Sequence, residues 1–118
     1  MKLIEITQES HGVELDIAYA TENNFTGEPI YGRKCCFLRE EAEVCLIKAK
    51  RSVELLGLKI KIFDAFRPTE AQWVLWNHTP DPNFLADPRR GSPHSRGIAI
   101  DLTLIDKTGR ELEMGTDF

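Results

Sequence analysis

From Gly97 to Leu104 the chain alternates with period two, Ile98, Ile100, Leu102 and Leu104 falling on one side and Gly97, Ala99 and Asp101 on the other. That periodicity predicts an extended strand with one greasy face, and it points the Asp101 carboxylate away from that face. His94 lies in the loop just before, so an imidazole and a carboxylate meet where a loop runs into a strand. Gly97 and Ala99 are the smallest side chains available, and the reading is that they leave the second face open for something bulky. A neutral imidazole and a carboxylate suit a divalent metal such as zinc, whose catalytic sites use three protein ligands and one open position. This segment supplies two. On spacing alone, a loop histidine and a strand aspartate are more often solvated or hydrogen-bonded than metal-bound.

The rest of the chain reads as mixed helix and sheet without internal repeats. Val13, Leu15, Ile17 and Tyr19 alternate as a strand, and residues 23–29 follow as a loop rich in turn formers. Leu38, Ala42, Cys45, Leu46, Ala49, Val53 and Leu56 recur at helical spacing up to Gly57, which predicts the main helix over 38–56 with a glycine stop. Residues 58–63 alternate again, with Leu58, Ile60 and Ile62 inward and Lys59 and Lys61 outward. Thr69 is the expected N-cap of a second helix reaching about Asn77, with Glu70 in its first turn. Residues 79–91, with three prolines, form an irregular approach to His94; the strand 98–105, a turn over 106–109 and a return strand 110–113 complete the pattern. The expected class is α+β, helices packed on a mainly antiparallel sheet.

Composition bounds the function. With 118 residues, 42% hydrophobic and 29% charged, residues 1–118 read as one domain around one core. A net charge of −4 argues against a general nucleic-acid binder, which needs a basic stripe to neutralise phosphates. No apolar run approaches membrane-spanning length, and the acidic residues near the amino terminus do not suit a secretory signal, so a cytoplasmic location is expected. The three cysteines, two of them the adjacent Cys35 and Cys36, read as reduced thiols.

Three other residues invite a chemical reading. Arg67 stands just past a strand end, with its backbone restrained by Pro68; it offers either a salt bridge to Asp64 or a fork of donors to an oxygen gaining charge. Ser92 has no base placed to activate it as a nucleophile, and local hydrogen bonding is the plainer account. Tyr19 either contacts a ligand or closes the apolar face of its strand. Asn24, Phe25 and Thr26 shape a loop beside the site, Ser95 and Arg96 hold the approach to the strand, and His11 and His78 read as surface or loop histidines.

Taken together, Ser92-x-His94-x-x-Gly97-x-Ala99-x-Asp101, Tyr19-Ala-Thr-Glu-Asn-Asn-Phe-Thr-Gly27 and Asp64-Ala-Phe-Arg-Pro68 resemble, in order, three segments of the VanX-type D-alanyl-D-alanine dipeptidases. Phe66 stands where that family usually has tyrosine, and Met114-Gly-Thr-Asp-Phe118 is similar to a fourth segment. The resemblance implies a zinc peptidase with the fold shared by Hedgehog domains and DD-peptidases, one zinc ion held by His94 and Asp101, and a small dipeptide substrate. It implies further that Arg67 stabilises the oxyanion and that Tyr19 and Ser92 line the substrate pocket. The Glu-x-Trp-His segment that supplies the family's catalytic carboxylate and last zinc ligand does not occur in the chain, which corresponds to roughly the first two thirds of a family domain. The expected activity is zinc-dependent hydrolysis of D-alanyl-D-alanine. A DD- or LD-carboxypeptidase acting on peptidoglycan peptides, or a catalytically inactive zinc-binding or cell-wall-ligand module, are the alternatives.

Overall fold

A computed structural model of the chain describes residues 2–113, so the segment Met114–Phe118 lies outside the described residues. The elements are β1 (Leu3–Ile6), α1 (Gln8–His11), β2 (Glu14–Leu15), a 3-10 turn (Ala18–Ala20), β3 (Cys36–Arg39), α2 (Glu40–Leu55), β4 (Lys59–Asp64), α3 (Thr69–His78) and β5 (Asp101–Ile105). They form an antiparallel pair, β1–β3, and a three-stranded sheet in the order β2–β4–β5. Within that sheet β4 and β5 are antiparallel and β2 and β4 are parallel. The α+β expectation holds at this level, with one parallel pairing added.

Both sheets and α2 share a core of Ile6, Val13, Ile17, Leu38, Leu46, Ile60 and Ile62. Each aliphatic side chain buried here contributes about 1.5–3 kcal/mol. A second cluster, Tyr19 with Leu75 and Leu85, packs with Phe25, Ile30, Tyr31 and Trp76. It joins α3 and the 79–91 loop to the segment after β2.

Several sequence expectations are corrected here. The main helix begins at Glu40, because Leu38 belongs to β3, where Cys36 and Leu38 are buried on one face. Leu38 and Ala42 stand four apart, so helical spacing absorbed a strand residue. Glu40, Glu41 and Glu43 crowd the first turn of α2, where the helix dipole favours negative charge. Its end is as expected: Gly57 takes φ +74° and donates to Glu54 O, while Leu58 N bonds Val53 O, closing the last turn. Pro68, not Thr69, occupies the cap position of α3; its extended backbone already stops the preceding segment, and no side chain caps the helix. The strand expected over 13–19 shortens to Glu14–Leu15, although Val13, Ile17 and Tyr19 are buried as predicted.

β5 is shorter than its sequence alternation. Residues 93–97 turn, and the first ladder residue is Asp101. Gly97 is not small in order to open a face: it has φ +75°, and a Cβ there would stand 3.3 Å from the Arg39 backbone nitrogen and from Leu3 Cδ2. Leu102 and Leu104 pair with Ile62 and Ile60 and share their face, as the alternation requires. That face is incompletely covered, leaving Leu102 38% and Ile98 48% exposed. The return strand reduces to one bridge, Ile105–Glu111, with backbone bonds from Asp106 N to Arg110 O and from Leu112 N to Leu104 O. The three cysteines are free thiols, and among the described residues no helix is long and apolar enough to cross a membrane.

Candidate metal centre

The site forms where β4 ends beside the start of β5. The β4–β5 register runs regularly from Lys59–Ile105 to Ile62–Leu102, then slips by one residue so that Asp64 faces Asp101. Phe63 is the extra residue of this bulge, and such bulges redirect the side chains beyond them. Alternation alone would set Phe63 opposite Asp101; the slip sets two carboxylates side by side. The turn carrying His94 is fastened to the same strand end, because Arg67 N donates to His94 O at 3.0 Å.

His94 is oriented by its own ring. Nδ1 lies 2.8 Å from the Ala65 carbonyl, which only accepts, so the Nδ1 proton is committed there. Nε2 then faces Asp101 Oδ1 at 3.3 Å. Two such lone-pair atoms meet comfortably only with a proton or a cation between them. Burial works against the His94 cation, but the hydrogen bonds to Asp101 and to the Ala65 carbonyl outweigh it and raise its pKa above the ordinary value. The pocket therefore favours positive charge between these two atoms. A backbone carbonyl fixing the far nitrogen of a ligating imidazole is the usual supporting arrangement at metal sites.

Asp64, His94 and Asp101 each offer a donor atom within 4.8 Å of the others. Asp64 is already engaged: Oδ2 accepts from Arg67 Nε and Nη2 at 3.1 and 2.8 Å, and Oδ1 accepts from the Tyr31 hydroxyl at 2.6 Å. Asp64 is 1% and Arg67 4% exposed, so this is an ion pair inside the protein. Burial opposes the Arg67 charge, but the carboxylate of Asp64 more than offsets it and keeps the guanidinium protonated. Arg67 also reaches towards Asp101, with Nη2 3.8 Å from Oδ2. The free donors of the cluster are thus those of His94 and Asp101, with Asp64 orienting Arg67.

The five residues given a ligand, catalytic or substrate-binding reading from the sequence, Tyr19, Arg67, Ser92, His94 and Asp101, all line one cavity of about 1360 Å³. The Arg67 guanidinium carbon stands 5.1 Å from the centre of the Tyr19 ring. Burial pushes the Tyr19 hydroxyl up to about 12, so it stays a neutral phenol at ordinary pH. Ser92 is buried, and its hydroxyl accepts from His94 N at 3.2 Å, the local bonding expected of it. Phe25 and Phe84 form an aromatic wall of the same cavity, their rings 5.0 Å apart. Asn24 holds the loop by bonding Thr26 and the carbonyls of Ala18, Thr21 and Glu28.

His78 is exposed, beside Phe25, as expected. His11 is not a surface residue: its side chain is 8% exposed and bonds Glu43 at 2.6 Å. The sequence reading also passed over Tyr31 and Gln72. Gln72 is 1% exposed; its Oε1 accepts from Arg67 Nη1 and its Nε2 donates to the Ala86 carbonyl, both at 2.7 Å. Its signal was available, since Gln72 falls on the buried stripe of α3 between Ala71 and Leu75. A polar residue on such a stripe needs partners.

A family model described as D-ala-D-ala dipeptidase matches residues 1–118. D-alanyl-D-alanine dipeptidase of Escherichia coli K12 is 41% identical over 117 residues, covering 99% of this chain and 61% of the relative. The enzymes of the same name from Enterococcus faecium and Streptomyces coelicolor are 33% and 32% identical, over 92% and 86% of the chain and 64% and 60% of their own lengths. The chain thus spans about three fifths of the length of these relatives. Matched by the family model from end to end, and carrying an imidazole, two carboxylates and an arginine around one cavity, the chain belongs to the D-ala-D-ala dipeptidase family.

Proposed function

We propose that the protein hydrolyses D-alanyl-D-alanine with zinc, and that residues 1–118 are the N-terminal two thirds of one dipeptidase domain of the Hedgehog/DD-peptidase fold, carrying the first two zinc ligands. The observation that carries this is the His94–Asp101 pair. Two donors each about 2.05 Å from a tetrahedral ion lie about 3.3 Å apart, and Nε2 of His94 and Oδ1 of Asp101 lie 3.3 Å apart. One imidazole and one carboxylate are also ligand types that zinc accepts in catalytic sites. Bound there, zinc would act as a Lewis acid on the scissile carbonyl.

The chain's own residues supply the rest. Arg67, held charged by Asp64, directs donors at the carbonyl oxygen as it gains negative charge, in a buried setting where such bonds are strong. Tyr19 stacks against that guanidinium and limits its tilt from one side. Tyr19 and Ser92, on the cavity wall, contact the dipeptide, and Asp101 combines ligation with a place near Arg67. With two ligands at His94 and Asp101, residues 1–118 alone bind zinc weakly and turn over the dipeptide slowly or not at all.

The test is cleavage of D-alanyl-D-alanine with added zinc, beside a His94→Ala control, on residues 1–118 and on a longer form matching the relatives' length. The proposal predicts robust, His94-dependent turnover in the longer form and little in the shorter. Robust turnover by residues 1–118, lost in the control, would overturn the two-ligand part; none in a zinc-loaded longer form would overturn the activity. One observation favours a second reading, a DD- or LD-carboxypeptidase: the cavity, about 1360 Å³, exceeds the roughly 300–1,000 Å³ of an ordinary small-molecule site. Faster cleavage of a longer peptide ending in D-alanyl-D-alanine would favour it.

A further inference from the structure

The two bonds between Arg67 and Asp64 converge on a single atom. Nε and Nη2 of Arg67 both donate to Oδ2 of Asp64, while Oδ1 is taken by the Tyr31 hydroxyl. Two bonds to one oxygen fix a distance, yet they leave the guanidinium plane free to swing about that oxygen. A second anchor is needed to stop the swing. Gln72 provides it from α3, on the opposite terminal nitrogen, where Oε1 accepts from Nη1 at 2.7 Å.

The amide has only one workable orientation. A guanidinium only donates and a backbone carbonyl only accepts, so the Gln72 oxygen must face Arg67 and its NH2 must face Ala86. Flipping the amide would break both bonds inside a protein region where the side chain is 1% exposed. Ala86 lies in the 79–91 loop and lines the site cavity, so the same amide ties that wall to the arginine. Arg67 has five N–H donors. Three are used, by Asp64 and Gln72, which leaves one on each terminal nitrogen.

We propose that Gln72 is a positioning residue: it fixes the plane of the Arg67 guanidinium, and so aims the two remaining N–H groups at the oxygen that gains charge. This rests on the assignment of Arg67 as the oxyanion donor. Gln72 itself touches neither metal nor substrate. Its effect passes through Arg67 and through the Ala86 wall.

Nuclear magnetic resonance of the Arg67 side chain tests the geometric part without any turnover. In the unaltered chain the Nη protons should give resolved signals, because rotation about the Cζ–Nη bonds is held by Asp64 and Gln72. Gln72→Met should merge the Nη1 signals; Gln72→Glu, which keeps an acceptor at that position, should leave them resolved. In the zinc-loaded longer form that matches the relatives' length, Gln72→Met should lower kcat roughly ten- to hundredfold, the scale of a modest misalignment. KM should stay within about twofold, zinc stoichiometry should be unchanged, and Gln72→Glu should recover most of kcat. Merged signals in the unaltered chain, resolved signals in Gln72→Met, or equal impairment of Met and Glu variants would each overturn the proposal. Resolved signals without cleavage of D-alanyl-D-alanine by the unaltered, zinc-loaded longer form that matches the relatives' length would count against the dipeptidase assignment and leave the Arg67–Gln72 anchor standing.

Discussion

Among the described residues His11 and His94 each stand against a carboxylate, and only the second has the geometry proposed for a ligand pair. His11 Nε2 meets Glu43 at 2.6 Å and Nδ1 meets the Ser10 hydroxyl at 2.6 Å, so both ring nitrogens are in short hydrogen bonds. Ser10 also completes a capping box with Thr7, and the whole cluster ties α1 to α2. His94 differs in two ways. Its Nδ1 is committed to a carbonyl, which leaves Nε2 as the outward atom, and the 3.3 Å to Asp101 leaves room for an ion on a cavity wall. Proximity to a carboxylate is therefore a poor sign of a metal site. The partner on the far side of the ring and the space on the near side separate the two cases.

The widest separation should appear in zinc affinity. His94→Ala is expected to weaken zinc binding more than about a hundredfold, beyond what loss of a supporting residue costs, while His11→Ala changes it less than twofold; titration calorimetry on both would sharpen or break the contrast. Next comes the arginine that stands only beside the His94 pair. Arg67→Lys keeps the charge but loses the fork, and kcat should fall about 10²–10³-fold with zinc stoichiometry intact; a loss of zinc instead would mean that Arg67 serves the metal pocket. His11→Ala should act on stability, lowering it by about 1–3 kcal/mol in denaturant melts, since it leaves Glu43 without its partner. An unchanged midpoint would remove the structural role given to that pair.

The smallest effect concerns the turn behind Asp101's strand. The Asp106 carboxylate accepts from Thr108 and from Arg110 N, and the Thr108 hydroxyl bond, followed by those backbone bonds, holds its pKa below the ordinary value. A carboxyl lowered in the folded state adds stability above its unfolded pKa, and that contribution is lost as pH falls through the folded value. Asp106→Asn should therefore flatten the fall in melting temperature below about pH 4, leaving the neutral-pH zinc affinity unchanged. An identical acid profile in the variant would show that the turn carboxylate carries none of it.

Much of the site was legible because its residues fall in short local patterns. His94 and Asp101 are seven apart on one loop-to-strand segment, and Arg67 precedes a proline at a strand end. What sequence could not give was pairing across space. The salt bridge to Asp64 and the proposed role of Arg67 looked like alternatives, whereas the ion pair is what holds the arginine in the cavity. The Tyr31 contact spans 33 residues and has no periodic signature, while the buried stripe of α3 marks Gln72 without naming its partner. In the fold, strands were found by alternation but their ends were not: Leu38 satisfied helical spacing and strand burial alike, and the left-handed turn at Gly97 delayed β5. Leu102 lies on the inward face but remains partly exposed, because parity says which way a side chain points and not what covers it.

The bulge at Phe63 acts as a change of phase between two halves of one strand pair. Below it, β4 and β5 match greasy residues to greasy residues, Ile60 with Leu104 and Ile62 with Leu102; beyond it, the match is Asp64 with Asp101. The same two strands are hydrophobic wall on one side of the surplus residue and carry the proposed site on the other. Removing Phe63 would return the strands to plain alternation, with the hydrophobic match intact and Asp64 still opposite Asp101, so the surplus residue changes the local bend and twist and not the partner. The surplus residue is thus a local bend and added twist beside the proposed site, set above a hydrophobic match that does not depend on it.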